Sequence, residues 1–297
     1  MGSSLAQGRP AQGQTGAGQT GTGADGAHGR LGAVTDPDQP PHISRHHYGS
    51  DASQYGELYL PPAERRAGVV VVLHGGFWRA RYAADLGAPL AADLATRGWV
   101  AWNLEYRRVG NGGGWPATLA DIAAGIDLLA DLDSPGGQGM DLSRVVTIGH
   151  SAGGQLAIWA AARPRLPRGA VGSEPQVRVT GVIAQAAVLD LSQGAADGLG
   201  VTAVADFLGG QPHEVPDCYR LASPHQHLPL AVPVRCLHAR DDDTVPFSQS
   251  VDYVRAARAA GDDASLVEVT GGHFGVIDPA APAWQAALDL LPGLLAH

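Results

Sequence analysis

The stretch VVTIGHSAGG, residues 145–154, joins a run of β-branched residues to a serine that has glycines on both sides. A buried strand that passes through a tight turn into a helix is the setting in which the pattern G-x-S-x-G presents a nucleophilic serine. Gly149 and Gly153 lack a Cβ, so they let the strand run close to the helix while Ser151 takes a strained backbone conformation. We therefore predict that Ser151 is a nucleophile, with an ordinary glycine-rich turn as the alternative.

Length, charge and residue composition exclude several classes of protein and mechanism. The 297 residues are enough for one α/β domain with a substantial core. The net charge of −9 is spread along the chain, which argues against a nucleic-acid partner or an anionic membrane surface. All 20 cationic residues are arginine, so mechanisms that need a lysine (Schiff base, pyridoxal phosphate, P-loop, Ser-Lys pair) are excluded.

The chain has only two cysteines, Cys218 and Cys236, and we expect no disulfide between them. Because the 12 histidines include no H-E-x-x-H pattern, we also expect no metal. No apolar run approaches the ~20 residues of a membrane-spanning helix, and no secretory signal is recognisable. The expected location is therefore cytoplasmic, whereas the oligomeric state is left open.

The order of apolar runs predicts the architecture. Residues 1–40, rich in Gly, Ala, Gln and Thr, are predicted to form a disordered leader, and residues 41–297 a single domain. Strands are predicted at 48–51, 56–61, 69–73, 100–104, 145–148, 179–184, 232–237 and 265–269. Helical spacing at 116–132 and helices after Ser151, Phe247 and Pro282 alternate with them. We therefore predict an α/β fold with a mostly parallel sheet of about eight strands and helices on both faces.

Residues 191–230 interrupt this alternation with scattered Gly, Pro and His around one short predicted helix, at 201–208. We interpret this segment as a small cap or lid, because insertions above the carboxyl ends of strands commonly shape substrate pockets. A long surface connection is the alternative.

Two segments near the end of the chain supply candidate partners for Ser151. HARDDDTVP, residues 238–246, resembles the H-G-x-x-D-x-x-V-P segment that carries the acid in many α/β-hydrolases, and its register selects Asp242, with Asp241 and Asp243 as alternatives. GGHF follows the last predicted strand and places His273 where a general base is needed. The order Ser, Asp, His is that of the α/β-hydrolase arrangement.

The sequence HGGFW follows the first central strand, where lipases and esterases carry an oxyanion loop. We predict that the amides of Gly76, Phe77 and Ala152 face the developing negative charge. His74 is expected to brace the loop, and Trp78 and Trp115 are candidates for the wall of the substrate pocket.

HGGFW, NLEYRR, GHSAGG, HARDDDTVP and GGHF together make the chain, from about residue 45 to 297, resemble the α/β-hydrolase superfamily. It is similar to the branch that holds hormone-sensitive-lipase-like esterases, feruloyl-esterase-like enzymes and the arylformamidases often labelled kynurenine formamidases. The resemblance implies a cofactor-free hydrolysis of a small-molecule ester, in which Ser151 is acylated and His273 activates water. An arylformamidase acting on an N-formyl amide is the nearest alternative, and a non-catalytic binding module with this fold is a third.

Overall fold

The computed structural model describes residues 39–62, 64–133 and 139–296. The described strands are β1 (His42–His47), β2 (Tyr55–Leu60), β3 (Val69–Leu73), β4 (Val100–Leu104), β5 (Val145–His150), β6 (Gly181–Gln185), β7 (Val234–Ala239) and β8 (Ala264–Val269). The described α-helices are α1 (Ala88–Thr96), α2 (Ala117–Leu132), α3 (Ala152–Ala162), α4 (Leu191–Ala196), α5 (Ala203–Leu208), α6 (Pro216–Ala222), α7 (Ser248–Ala259) and α8 (Pro282–Leu294).

The strands form one eight-stranded sheet in the order β1-β2-β4-β3-β5-β6-β7-β8. The pairs β1–β2 and β2–β4 are antiparallel, and every later pair is parallel. Strands β3 to β6 are buried along their whole length, as expected for parallel strands covered on both faces. The predicted mostly parallel α/β sheet is confirmed.

Helices cover both faces of the sheet through two apolar cores. One core packs α2, α3 and α7 on the sheet and contains the buried rings of Trp102 and Trp159. The other packs α1 and α8 on the opposite face and contains Trp99 and Trp284. This packing explains the alternation of strands and helices in the sequence, because each helix that connects two parallel strands buries its apolar face on the sheet.

The register brings the ends of the parallel strands to one edge. Leu73 at the end of β3 pairs with Leu104 at the end of β4 and with Gly149 in β5. The residues that follow these positions, His74, Glu105 and His150, consequently meet at the same edge. Open α/β sheets bind their ligands outside this carboxyl edge.

The strand predicted at 48–51 is wrong. The backbone bends there instead, because the amide of Tyr48 donates to the carbonyl of Gln54, at 3.1 Å, and Asp51 accepts the amide of Ser53, at 2.8 Å. The first strand is His42–His47, which lies at the edge of the sheet and is largely exposed. Its sequence HISRHH therefore lacks the apolar alternation by which strands are recognised.

Residues 191–230 hold three short helices, α4 to α6, whereas only one was predicted. They have six or seven residues each, which is too short for an apolar period to show in the sequence. The predicted leader, residues 1–40, lies outside the described residues except for its last two positions. Within the described part of the chain, no helix is both long and apolar enough to span a bilayer.

Candidate active site

Ser151 occupies the turn between β5 and α3 with φ 55° and ψ −119°. This is a strained conformation for a residue with a side chain, and its surroundings impose it. The Ser151 amide donates to the carbonyl of Gln185 at 2.8 Å. A Cβ on Gly149 would lie 2.1 Å from the carbonyl oxygen of Gly153, and one on Gly153 would lie 2.2 Å from that of Leu73. Only glycine fits at these two positions, so the turn can be this tight.

His273 follows β8 and its side chain is almost completely buried. Gly271 and Gly272, with φ of 111° and 61°, make the turn that directs it back over the sheet. Nδ1 of His273 donates to Oδ2 of Asp242 at 2.8 Å, which leaves Nε2 as the ring nitrogen that is free to accept a proton.

His150 attaches the turn at Ser151 to the loop that carries His273. Its Nε2–H donates to the carbonyl of His273 at 2.9 Å, and the centroids of the two rings are 4.5 Å apart. Burial lowers the pKa of His150 to about 3, and the nearby His273 acts in the same direction. His150 is therefore a neutral donor at neutral pH.

Asp242 accepts three hydrogen bonds and lies against a second histidine. Oδ1 accepts the amides of Thr244 and Val245, each at 2.8 Å. Oδ2 accepts Nδ1–H of His273, and Nε2 of the buried His238 lies 3.2 Å from it. Burial alone would raise the pKa of Asp242, but the donors from His238, His273 and the two amides outweigh it and hold that pKa well below its usual value. The carboxylate is therefore ionised.

The neighbouring carboxylates do not share this position. Asp241 and Asp243 are exposed. Asp241 accepts the amide of Gly272 at 3.3 Å, and Asp243 accepts the hydroxyl of Thr244 at 3.0 Å. Of the three adjacent aspartates, Asp242 is the one placed against His273.

Ser151 and His273 line the same cleft, which has about 350 Å³ of open volume. Its walls are mainly apolar, and the complete lining is Gly76, Phe77, Tyr82, Leu86, His150, Ser151, Thr244, His273, Phe274 and Ile277. Phe274 is 65% exposed, so this aromatic ring stands at the mouth of the cleft.

The HGGFW loop, residues 74–78, forms one side of the cleft. Gly76, Phe77 and Trp78 are in the left-handed region in succession, with φ of 113°, 54° and 54°. A Cβ on Gly76 would lie 2.4 Å from Cβ of Tyr82. Gly76 and Phe77 line the cleft, and Ala152 is the first residue of α3, where amides have no partner within the helix. Gly76 and Phe77 thus lie on the cleft that contains Ser151, and Ala152 follows Ser151 in the chain.

The expectation that Trp78 and Trp115 form the pocket wall requires correction, because neither ring lines the cleft that contains Ser151. The left-handed turn at Phe77 and Trp78 sends the Trp78 side chain into the core. There its ring stacks on Phe207 at 4.7 Å and its Nε1 donates to Gln155 at 3.0 Å. The Trp115 amide donates to the carbonyl of Phe207 at 2.7 Å, which ties this residue to α5 instead.

Three residues of the site, His150, His238 and Glu105, have roles that the sequence motifs did not reveal. His238 stands four positions before Asp242 in the HARDDDTVP segment, and Glu105 belongs to NLEYRR. One sequence feature could have identified them: each is a polar residue at the carboxyl end of a strand that is mainly apolar. A polar side chain buried at such a position needs a hydrogen-bond partner.

The sheet order and the serine in a strained strand-to-helix turn define the α/β-hydrolase fold. Within it, the chain belongs to the BD-FAE family, whose model matches residues 57–256.

Three known proteins illustrate the similarity. The chain is 29% identical over 198 residues to a probable carboxylic ester hydrolase, LipM, of Mycobacterium tuberculosis, covering 65% of this chain and 45% of LipM. It is 26% identical over 242 residues to a probable isoprenylcysteine alpha-carbonyl methylesterase, ICME, of Oryza sativa subsp. japonica, covering 75% of this chain and 56% of ICME. The chain thus spans about half the length of these relatives. The crystal structure of Esterase B from Lactobacillus rhamnosis HN001 has the same fold, with a TM-score of 0.74 at 21% identity, covering 88% of this chain and 86% of that one.

Proposed function

We propose that this protein is a serine hydrolase that cleaves small carboxylic esters through an acyl-enzyme. The observation that carries the proposal is the presence of Ser151, in its strained turn, and His273, bonded to Asp242, on one cleft. The names of LipM and ICME, an ester hydrolase and a methylesterase, point the same way.

In the proposed acylation, Nε2 of His273 takes the hydroxyl proton as Oγ of Ser151 attacks the ester carbonyl. The imidazolium so formed lies against Asp242, whose negative charge stabilises it at 2.8 Å. His273 then gives the proton to the departing alcohol. In deacylation the same nitrogen takes a proton from water, which attacks the acyl group; the bond to Oγ of Ser151 breaks, His273 returns the proton to Oγ, and the acid is released.

The amides of Gly76, Phe77 and Ala152 are the proposed donors to the tetrahedral oxyanion. Each such donor is worth about 3 kcal/mol of transition-state stabilisation. The strained backbone of the HGGFW loop supports this role, since strain of this kind is kept where it serves a site.

A short acyl group fits the cleft best. The apolar side chains of Phe77, Tyr82, Leu86 and Ile277 surround a small open volume beside Ser151, so an acid with few carbons would be covered and a long chain would not. On another side, residues 197–200 and 242–244 with Pro246 border a wider groove of about 730 Å³. We propose that residues 191–230 act as the cap over this groove, where the alcohol part of the ester would lie.

The test measures turnover of p-nitrophenyl acetate, p-nitrophenyl butyrate and N-formylkynurenine by the wild-type protein and by Ser151→Ala. We expect ester turnover in the wild type and a loss of at least ~10³-fold in the variant. A fluorophosphonate probe should label the wild type and not the variant. Higher efficiency on N-formylkynurenine would replace the ester proposal with an arylformamidase, which would use the same three residues. A wild-type protein that neither turns over nor reacts with the probe would instead be a binding module.

A further inference from the structure

Residues 105–109, which follow β4, hold the HGGFW loop at its beginning. Nε2 of His74 lies 3.2 Å from Oε1 of Glu105. The Tyr106 hydroxyl donates to the carbonyl of His74 at 2.7 Å, and the two rings stack with centroids 4.4 Å apart. All three side chains are almost completely buried, so water does not compete for these bonds.

The same segment holds the far end of the loop. The amide of Val109 donates to the carbonyl of Trp78 at 2.8 Å, and the amide of Ala80 donates to the carbonyl of Val109 at 2.9 Å. Between the two fixed ends lie Phe77 and Trp78, both non-glycine residues in the left-handed region. Because such residues relax when their surroundings permit, the conformation of the loop depends on these attachments.

Glu105 also connects the loop to a second wall of the cleft. Its Oε2 accepts the amide of Ala84 at 2.9 Å, at the start of the short turn that ends in Leu86. Leu86 lines the cleft, facing the same space as Phe77. Oε1 accepts the Tyr106 amide at 2.7 Å and is paired with Arg108, which balances the buried charge. One carboxylate therefore fixes two walls of the cleft and bonds to no residue that would react.

We propose that Glu105 is a positioning residue that holds the HGGFW loop in the conformation in which its amides stabilise the oxyanion. The proposal rests on the proposed function, because it assigns Glu105 an effect on that reaction. It predicts that losing the carboxylate charge weakens binding of the transition state more than binding of the substrate.

The chain offers a closely matched control in Asp127. This carboxylate also pairs with a buried arginine, Arg163, and also accepts two backbone amides, those of Gln176 and Val177, at 3.1 and 3.0 Å. None of these residues lines the cleft. Asp127 is partly buried, and Asp127→Asn therefore measures what the loss of a carboxylate charge paired with a buried arginine does without a contact to the loop.

The experiment compares Glu105→Gln with Asp127→Asn and the wild type on p-nitrophenyl acetate. For Glu105→Gln we expect kcat to fall by roughly 30- to 100-fold, somewhat less than the effect of losing one oxyanion donor outright, with KM within about 3-fold. Affinity for an aryl trifluoromethyl ketone, whose adduct with serine carries an oxyanion, should fall by the same factor as kcat/KM. The pH profile of kcat/KM should keep its midpoint, since the bond between His273 and Asp242 is untouched. Asp127→Asn should keep kcat within about 3-fold.

A folded Glu105→Gln protein with wild-type kcat would overturn the proposal, and so would an Asp127→Asn protein that loses as much. If Glu105→Gln does not fold, Tyr106→Phe decides the question, because it removes only the hydroxyl that binds the carbonyl of His74. We expect a 3- to 10-fold lower kcat from it by the same reasoning, and an unchanged kcat would refute the proposal. If the wild-type protein neither cleaves esters nor reacts with the fluorophosphonate, the result refutes the proposed function itself, independently of any comparison with the Glu105 variants.

Discussion

Replacing Asp242 by asparagine changes one atom of the site and should nearly stop the reaction. In the native carboxylate, Oδ1 accepts two backbone amides and Oδ2 accepts His273, with Nε2 of His238 3.2 Å away. An asparagine side chain has a single acceptor oxygen. The amides of Thr244 and Val245 are fixed in the backbone, so the asparagine oxygen stays in the Oδ1 position and accepts their hydrogen bonds. The new NH₂ group therefore takes the place of Oδ2.

The NH₂ group would then point a donor at Nδ1 of His273, 2.8 Å away in the native geometry. The conflict is relieved if His273 moves its proton to Nε2 and accepts at Nδ1. In that tautomer Nε2 can no longer take the proton of Ser151. The same exchange of aspartate for asparagine in a serine protease triad lowers kcat by about 10⁴-fold through the wrong tautomer. We expect a fall of that size here, or roughly 5.5 kcal/mol at about 1.36 kcal/mol per factor of ten.

Asp242→Asn should also lower the stability of the fold, through its effect on His238. Nε2–H of His238, now 3.2 Å from Oδ2, would also face a donor in a fully buried position and would lose its contact with the carboxylate charge. His238 keeps the carbonyl of Val245 at 3.0 Å, so the loss is partial. We expect the free energy of unfolding to drop by about 1–3 kcal/mol, within what the fold can tolerate.

The assay follows p-nitrophenyl acetate hydrolysis under saturating substrate, with urea denaturation to confirm the fold. Asp241→Asn and Asp243→Asn are the matched controls, since both residues are exposed and their carboxylates accept from Gly272 and Thr244 instead of from His273. Each should keep kcat within about 3-fold, because changes of surface charge have small effects. An Asp242→Asn protein that retains more than a tenth of the wild-type kcat, or an Asp241→Asn protein that loses as much as it does, would refute the reasoning.

Three further predictions concern stability. Gly153→Ala should lower the free energy of unfolding by more than ~2 kcal/mol, because its Cβ would lie 2.2 Å from the carbonyl of Leu73; a thermal midpoint equal to the wild type would contradict this. Val201→Gly should raise the free energy by roughly 0.5–1 kcal/mol in urea denaturation, because this exposed β-branched residue has φ 71°; a decrease would argue against strain there. Between pH 6.5 and about 3, the unfolded chain protonates His150 and the folded one does not, so stability should fall with decreasing pH by about 1.4 kcal/mol per unit from this residue. His150→Asn should show a correspondingly shallower slope in unfolding measured from pH 6 to 4, and equal slopes would exclude the assignment.

The central strands could be predicted because their burial is uniform. A strand covered on both faces, such as Val69–Leu73, is apolar along its whole length and has no other interpretation at that size. The roles of Gly149 and Gly153 could also be predicted, because a turn with no room for a Cβ accepts only glycine. The register then follows from the fold, which is why residues far apart in the chain could be assigned to one site.

Edges and caps were harder to predict. His42–His47 forms its strand by pairing with Tyr55–Leu60, and the sequence HISRHH contains no sign of that partner. The short helices between 191 and 230 depend on packing against the body of the fold, because helices of one or two turns are marginal on their own. The direction of the Trp78 ring was also hidden, since it depends on two left-handed residues that are not glycines.

The buried polar residues form a third group, and their partners come from other strands. Glu105 in NLEYRR reads as a charged residue after a strand, and only the register of β3 with β4 shows that it meets His74. The contacts of His238 with Val245 and Asp242 could be named only once the turn from Asp242 to Val245 was known. Sequence spacing predicts which elements form, whereas these contacts depend on how the elements are placed.

The two neighbouring imidazoles of the site differ in their surroundings: His273 lies against the carboxylate of Asp242, whereas His150 is buried and neutral. The distance between the two rings gives a physical reason for this difference. In the proposed reaction His273 becomes positive, beside a ring whose centroid is 4.5 Å away. If His150 were also charged, the repulsion between unit charges at about 4 Å would be roughly 4 kcal/mol at an effective dielectric of about 20, as large as the benefit of an oxyanion donor. Burial lowers the pKa of His150 to about 3 and removes that repulsion, while its Nε2–H still fixes the backbone of His273. Asp242, whose carboxylate is ionised, forms an ion pair with the reacting imidazole. The same burial that makes His150 a reliable anchor at neutral pH should therefore make it a source of acid instability.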